Sequence, residues 1–146
     1  MGIVGFNFSK ITAQKSSSLS GKININNNIS ITDVKEMEVT LTGQKGKGLM
    51  IKFHYHCDYE PNMGKISLEG EVIAIEDQET IKKSIESWQK NKSLEKDLME
   101  RIMPHILNKS SIEAIILSKD VGLPSPIPLP KITNDKKAKE TKVNGK

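Results

Sequence analysis

The chain is short of cysteine, of aromatic side chains and of long apolar runs, and each shortage excludes something. A single cysteine, Cys57, among 146 residues allows no internal disulfide, which agrees with a reducing, cytoplasmic setting. No apolar run approaches the ~20 residues that a membrane-spanning helix needs. The opening residues MGIVGFNFSK carry no basic flank ahead of an apolar stretch, so no signal peptide is expected. There is no Cys-x-x-Cys pair and no nucleophile–base constellation, so the chain reads as a non-enzyme without cofactor or metal. GQKGKG, residues 43–48, does not end in Lys-Ser/Thr entering a helix; it is read as a flexible loop and not as a phosphate cradle.

The net charge of +4 is not spread evenly. Six lysines against Asp135 and Glu140 fall within Lys131–Lys146, which leaves the first 130 residues neutral. Residues 1–130 are therefore read as one folded domain and 131–146 as a basic disordered tail. Such a tail can add weak, salt-sensitive affinity for RNA or ribosomes.

What is present is alternation, then helical periodicity. Phe6 and Phe8 share one parity and Ile11 and Ala13 the other, which predicts a strand with a bulge near Ser9–Lys10. Ile23, Ile25, Ile29 and Ile31 make a half-buried strand. Asn27 occupies the one odd position that should be apolar, and marks a bend or a turn. Val34–Leu41 fits neither period well. From Leu49 to Tyr59, Phe53, Tyr55, Cys57 and Tyr59 face one side while Lys52, His54, His56 and Asp58 face the other. After a turn at Glu60–Pro61–Asn62, Ile66, Leu68, Val72 and Ala74 point inward in a fourth strand. Gly70 shares their face, where a missing side chain allows close approach.

Beyond Ile75 the period changes. Asp77 is placed to cap a short helix with the stripe Ile81, Ile85 and Trp88. Ser93 is read as the cap of a second helix, with the stripe Leu94, Leu98, Ile102 and Ile106. Pro104 removes a backbone donor inside that stripe and is expected to kink or split the helix. Ser110–Glu113 has the capping-box pattern and is expected to restart it, with Ile112, Ile115, Ile116 and Val121 continuing the apolar face. Gly122 and Pro124 supply the stop. Prolines 124, 126, 128 and 130 then alternate with Ser125, Ile127 and Leu129, an extended strap too apolar to be a free linker. Strands followed by helices give an α+β class, an antiparallel sheet covered on one face.

Two features invite a metal or a nucleophile and are read more plainly. His54 and His56 share a strand face, but Cys57 points away and no third ligand is clustered, so they are surface histidines. Cys57 sits between Tyr55 and Tyr59 on an apolar face and is an inert core thiol. Met99 and Met103, with Ile106, are read as core or as a surface shared between protomers.

Leu98–Pro130 resembles the long helix and following loop of the SecB export chaperones. The shared elements are Pro104–His105–Ile106–Leu107 within the helix, its end near Leu123–Pro124, and the strap Ile127–Pro128–Leu129–Pro130. Phe6–Asn7–Phe8–Ser9–Lys10–Ile11 is similar to the family's first strand, and Gly70–Ile75 to its last. The resemblance implies a four-stranded antiparallel sheet covered on one face by C-terminal helices, assembled as a dimer of dimers. It implies ATP-independent holding of unfolded polypeptides in a hydrophobic groove, in the cytoplasm and in the service of protein export. Phe53, Tyr55, Leu123, Pro124, Ile127 and Leu129 are the client-binding residues it implies. The chain departs from that family in its neutral body and its lysine-rich end, and the alternative is an RNA- or ribosome-associated protein that works through the tail.

The two readings part on deletion of Lys131–Lys146. A holdase should lose little of its ability to keep a denatured protein from scattering light, whereas a tail-driven RNA binder should lose its salt-sensitive retention on RNA.

Overall fold

A computed structural model describes residues 2–16 and 21–127. Its elements follow in the order β1 (Gly2–Lys15), β2 (Asn24–Leu41), β3 (Gln44–Glu60), β4 (Gly64–Ile75), α1 (Gln78–Asn91) and α2 (Lys96–Val121). The sheet is antiparallel throughout, with spatial order β1-β4-β3-β2, so the two most regular strands are central and β1 and β2 are edges. The helices cover one face, α1 over β2 and β3 and α2 over β1 and β4. No helix among the described residues is long and apolar enough to cross a membrane.

Alternation in β3 and β4 decides which face is covered. Leu49, Ile51, Phe53, Tyr55, Cys57 and Tyr59 of β3, and Ile66, Leu68, Val72 and Ala74 of β4, are almost wholly buried beneath the helices. The intervening residues stay half-exposed on the open face. The bulge in β1 lies between Phe8 and Lys10, and it keeps Phe6, Phe8, Ile11 and Ala13 opposite Val72, Gly70, Leu68 and Ile66. A second irregularity, between Ile3 and Gly5, leaves Val4 outside the register.

Three expectations are corrected. Residues 43–48 are not a loop: Gln44–Gly48 opens β3 and pairs with Met37–Leu41 of β2. The connection shrinks to Thr42–Gly43, both at positive φ (48° and 82°), the conformation whose twist suits a two-residue hairpin turn. Asn27 lies within a continuous strand and marks no turn; the register of β2 shifts between Ile31 and Asp33. Pro104 does not split the second helix, which runs unbroken for 26 residues. Pro104 and Glu100 are both exposed, so the carbonyl that loses its partner faces water.

The covered side of α2 also differs from the expected face. Its buried residues are Leu98, Ile102, Ile106, Ser110, Ala114 and Ser118, spaced by four. On a helix of 3.6 residues per turn each step of four advances the stripe by about 40°, so the line winds around α2 as the helix follows a twisted sheet. The second half buries the small residues Ser110, Ala114 and Ser118 and leaves Ile112 and Ile116 outward, 53% and 45% exposed. Ser110 starts no new helix, and its hydroxyl is buried without a hydrogen-bond partner among the described residues. Ile106 is fully buried within its own domain.

The helix ends are set locally. Asp77 caps α1 by accepting from the Thr80 amide at 2.7 Å. The expected Ser93 cap is not formed; Glu95 occupies the N-cap of α2, and the Ser93 carbonyl accepts from the Ser87 hydroxyl. Arg101 grips the buried Glu76 carboxylate with both terminal nitrogens, at 2.8 and 3.0 Å, and ties α2 to the end of β4. Gly122 ends α2 at φ 80°.

Gly70 is fixed by its neighbours. A Cβ there would fall on the Asn7 carbonyl oxygen and 2.8 Å from Phe53 Cζ. Gly70→Ala should cost about 2 kcal/mol, in the range of overpacked cores, and urea titration should show a lower midpoint at unchanged slope.

Candidate functional site

The covered face carries two apolar clusters. One joins Phe53, Val72, Ile102 and Ile106 to α1 through Ile81 and Trp88; the other joins Tyr55, Cys57, Tyr59, Met63, Ile66 and Leu68 to Ala114 and Leu123. Phe8 and Ile29, both half-buried, pack against both. The residues expected to line a groove are thus divided. Tyr55, Leu123, Pro124 and Ile127 gather at the strap end of the sheet, while Phe53 lies in the other cluster, under α2. Leu129 lies outside the described residues, as do Pro128, Pro130 and the lysine-rich segment.

At the Phe53 end the accessible aromatics are on the edge strand. Phe6 stacks on Phe53 with centroids 5.3 Å apart and meets Phe8 and His105 edge-on at 5.1 and 5.5 Å. Phe53 itself is 1% exposed. Gly70 pairs with both Phe8 and Phe53, and its missing side chain is the space the Phe53 ring fills.

A second glycine makes room for the strap. Gly64 shares the inward face of Ile66 and Leu68, and a Cβ there would meet Leu123 Cδ2 at 2.8 Å. The Leu123 side chain therefore drops into the notch above Gly64 and anchors the chain as it leaves α2; its amide bonds back to the Ser118 carbonyl at 2.8 Å. Gly64 has the parity of Gly70, which is the sequence signal for this notch.

From that anchor the strap crosses the tyrosine end of the sheet. The Tyr59 hydroxyl donates to the Pro124 carbonyl at 2.6 Å, and Asn27 Nδ2 donates to the Pro126 carbonyl at 3.1 Å. The Tyr55 hydroxyl donates to Asn27 Oδ1. Asn27 thus interrupts the isoleucine series because it bridges a buried tyrosine to the strap. Burial, with a smaller contribution from Cys57, holds both phenols above their ordinary range, so both remain protonated donors at neutral pH. Burial likewise pushes the Cys57 thiol up to about 11, against a lowering by the Tyr59 hydroxyl, which suits an inert thiol. Beside the strap, Ile25 and Ile29 of the edge strand, with Ile23 just before it, remain half-buried, a shallow apolar strip along a strand whose outer backbone edge has no neighbour among the described strands.

The open face is polar. His54 and His56 lie 5.4 Å apart between ring centroids; His54 Nε2 bonds to Ser67 Oγ at 2.7 Å and His56 Nδ1 to Asp58 Oδ2 at 3.1 Å. Among the described residues no three His, Cys, Asp or Glu side chains are grouped for a metal.

No family model matches the chain, and no curated protein matches it in sequence. A solved structure does. The Mycobacterium tuberculosis Rv1957 SecB-like chaperone, in complex with a ChAD peptide from the Rv1956 HigA1 antitoxin, superposes with a TM-score of 0.58 over 91% of this chain and 91% of its own, at 8% sequence identity. A four-stranded antiparallel sheet covered on one face by two C-terminal helices is common to both, and the fold of this chain is that of the SecB-like chaperones.

Proposed function

We propose that this protein is an ATP-independent holdase of the cytoplasm. It keeps unfolded polypeptide segments in an extended state against the covered face of its sheet, for export or another handover. The observation that carries this reading is the proline strap seated over Tyr55 and Tyr59 beside the half-buried isoleucines of an edge strand. A surface that holds many sequences needs apolar contact without a shaped pocket for any one side chain, and needs partners for the backbone of an extended chain. The strip of Ile23, Ile25 and Ile29 supplies the first, and the edge of β2 together with the strap's hydroxyl and amide partners supplies the second. Leu123, Pro124 and Ile127 form the strap wall in this reading and Tyr55 the floor, and Leu129 is proposed as a further client contact. Phe53 supports Phe6 and Phe8 at the far end. The fold is shared with a chaperone solved with a peptide bound, which is the same class of ligand.

The test is suppression of aggregation. At stoichiometric amounts the protein should hold a chemically denatured protein in solution without nucleotide, followed by light scattering. Ile25→Asp sets a charge in the apolar strip at a half-buried edge position; it should weaken binding of an unfolded peptide at least tenfold by fluorescence polarisation while leaving the thermal midpoint within a few degrees. An unaltered affinity would remove β2 from the site.

The reading includes a homo-oligomer, a dimer of dimers. Its support is the outward side of α2, where Leu107, Ile112 and Ile116 are each about half exposed. Ile112→Asp combined with Ile116→Asp should shift the sedimentation velocity profile to the monomer at micromolar concentration without loss of helical circular dichroism.

A further inference from the structure

Among the described residues, the strap's backbone is joined to the sheet by two hydrogen bonds, and in both the sheet donates. Tyr59 serves the Pro124 carbonyl and Asn27 serves the Pro126 carbonyl. Pro124 and Pro126 have no N–H to give in return. The Ile127 amide is turned inward on the strap itself, donating to Ser125 Oγ at 3.3 Å, and the Ser125 hydroxyl donates to the Ile127 carbonyl at 2.6 Å. The segment joins no ladder: its two prolyl carbonyls accept from side chains, and the Ile127 amide is spent within the strap. It sits on the sheet as a peptide ligand would, offering carbonyls to waiting donors.

Neither donor is needed to fill the fold. An isoleucine at position 27 would continue the strip, and a phenylalanine at 59 would fill the core. The Tyr55 hydroxyl holds Asn27 Oδ1, and this fixes the amide with its nitrogen turned toward the strap. Three polar groups are thus arranged on an apolar face to present two donors to carbonyls two residues apart, those that share one side of an extended chain.

We propose that Tyr59 and Asn27 are the groups that read the client backbone, that Tyr55 is the positioning residue for Asn27, and that the strap occupies these donors in the free protein as an internal stand-in for the client. The ligand class is an extended polypeptide segment with two carbonyls at i and i+2 on the groove side. Every residue type carries that carbonyl, so this part of the recognition is indifferent to sequence. A client enters as the strap lets go of the two donors, and the strap's apolar side chains then close over its outer face. The inference rests on the groove reading above and names the atoms that make it unselective.

The experiment uses the full chain and a fluorescein-labelled, unstructured 20-residue peptide rich in Leu, Ser and Arg. The chain has two tyrosines, so 3-fluorotyrosine gives two fluorine resonances. Peptide binding should move both and should raise the backbone mobility of Ser125 and Ile127 in nitrogen relaxation. Tyr59→Phe removes one donor. Asn27→Asp, at an exposed edge position, keeps the acceptor for Tyr55 and removes the other. Each should speed peptide association roughly five- to tenfold, the worth of one hydrogen bond, with Trp88 emission unchanged as the check on folding. Association that is unchanged or slower in both variants overturns the proposal. Peptide binding that leaves both fluorine resonances in place overturns it and leaves the groove reading standing. A parent protein that binds no peptide overturns both.

Discussion

The antiparallel pairing of β3 with β4 is the constraint from which the covered face is built. Its register sets Phe53 beside Gly70 and Tyr59 beside Gly64. Side chains in the two strands alternate strictly, so a slip of one residue would carry Phe53, Tyr55, Cys57 and Tyr59 to the open face and His54 and His56 into the core. The register also fixes the two places where the face lacks a side chain. The Phe53 ring fills the notch at Gly70, and Leu123 from the end of α2 fills the notch at Gly64. The second contact joins the sheet to the chain that follows the helices, and so determines where the strap begins.

The long helix is shaped by the same surface. A straight helix on a twisted sheet cannot present one fixed stripe, and α2 meets this with a buried line that advances around it, large at Leu98, Ile102 and Ile106 and small at Ser110, Ala114 and Ser118. In the second half Ala114 belongs to the same apolar cluster as Ile66 and Cys57. The isoleucines displaced from that line face outward. The Arg101–Glu76 pair fixes the first half of the helix at the end of β4, and Leu123 fixes its last turn above Gly64. With both ends held, the strap leaves α2 in one direction, across Tyr59 and toward Asn27.

The strap is attached by groups that would cost stability if left alone. A buried hydroxyl without a partner forfeits solvation, so Tyr59 requires either the strap or something that offers the same carbonyl, while Tyr55 is satisfied by Asn27. Apolar packing alone would hold a segment as short as Leu123–Ile127 loosely and would not orient it. The hydrogen bonds orient it, and both use backbone carbonyls of the strap.

Much of this architecture was legible in the residues. The odd-position apolar side chains of β3 and the even-position ones of β4, the parity change at Ser9 and the stops at Gly122 and Pro124 determine four strands, a bulge and a C-terminal helical region, because local periodicity reflects a face buried along its whole length. The proline ladder likewise excluded helix and central strand from its covalent chemistry alone. The rest depended on what lies across space. Gln44–Gly48 is strand because β2 stands opposite it. Pro104 stays helical because water reaches Glu100, and Ile112 and Ile116 face outward because the twist of the sheet carries the buried line on to Ser110, Ala114 and Ser118. Asn27 shows the division most plainly. The sequence marks it as a polar break in an isoleucine strand, and only the tertiary structure, by setting Tyr55 on one side of its amide and the Pro126 carbonyl on the other, makes it part of a site.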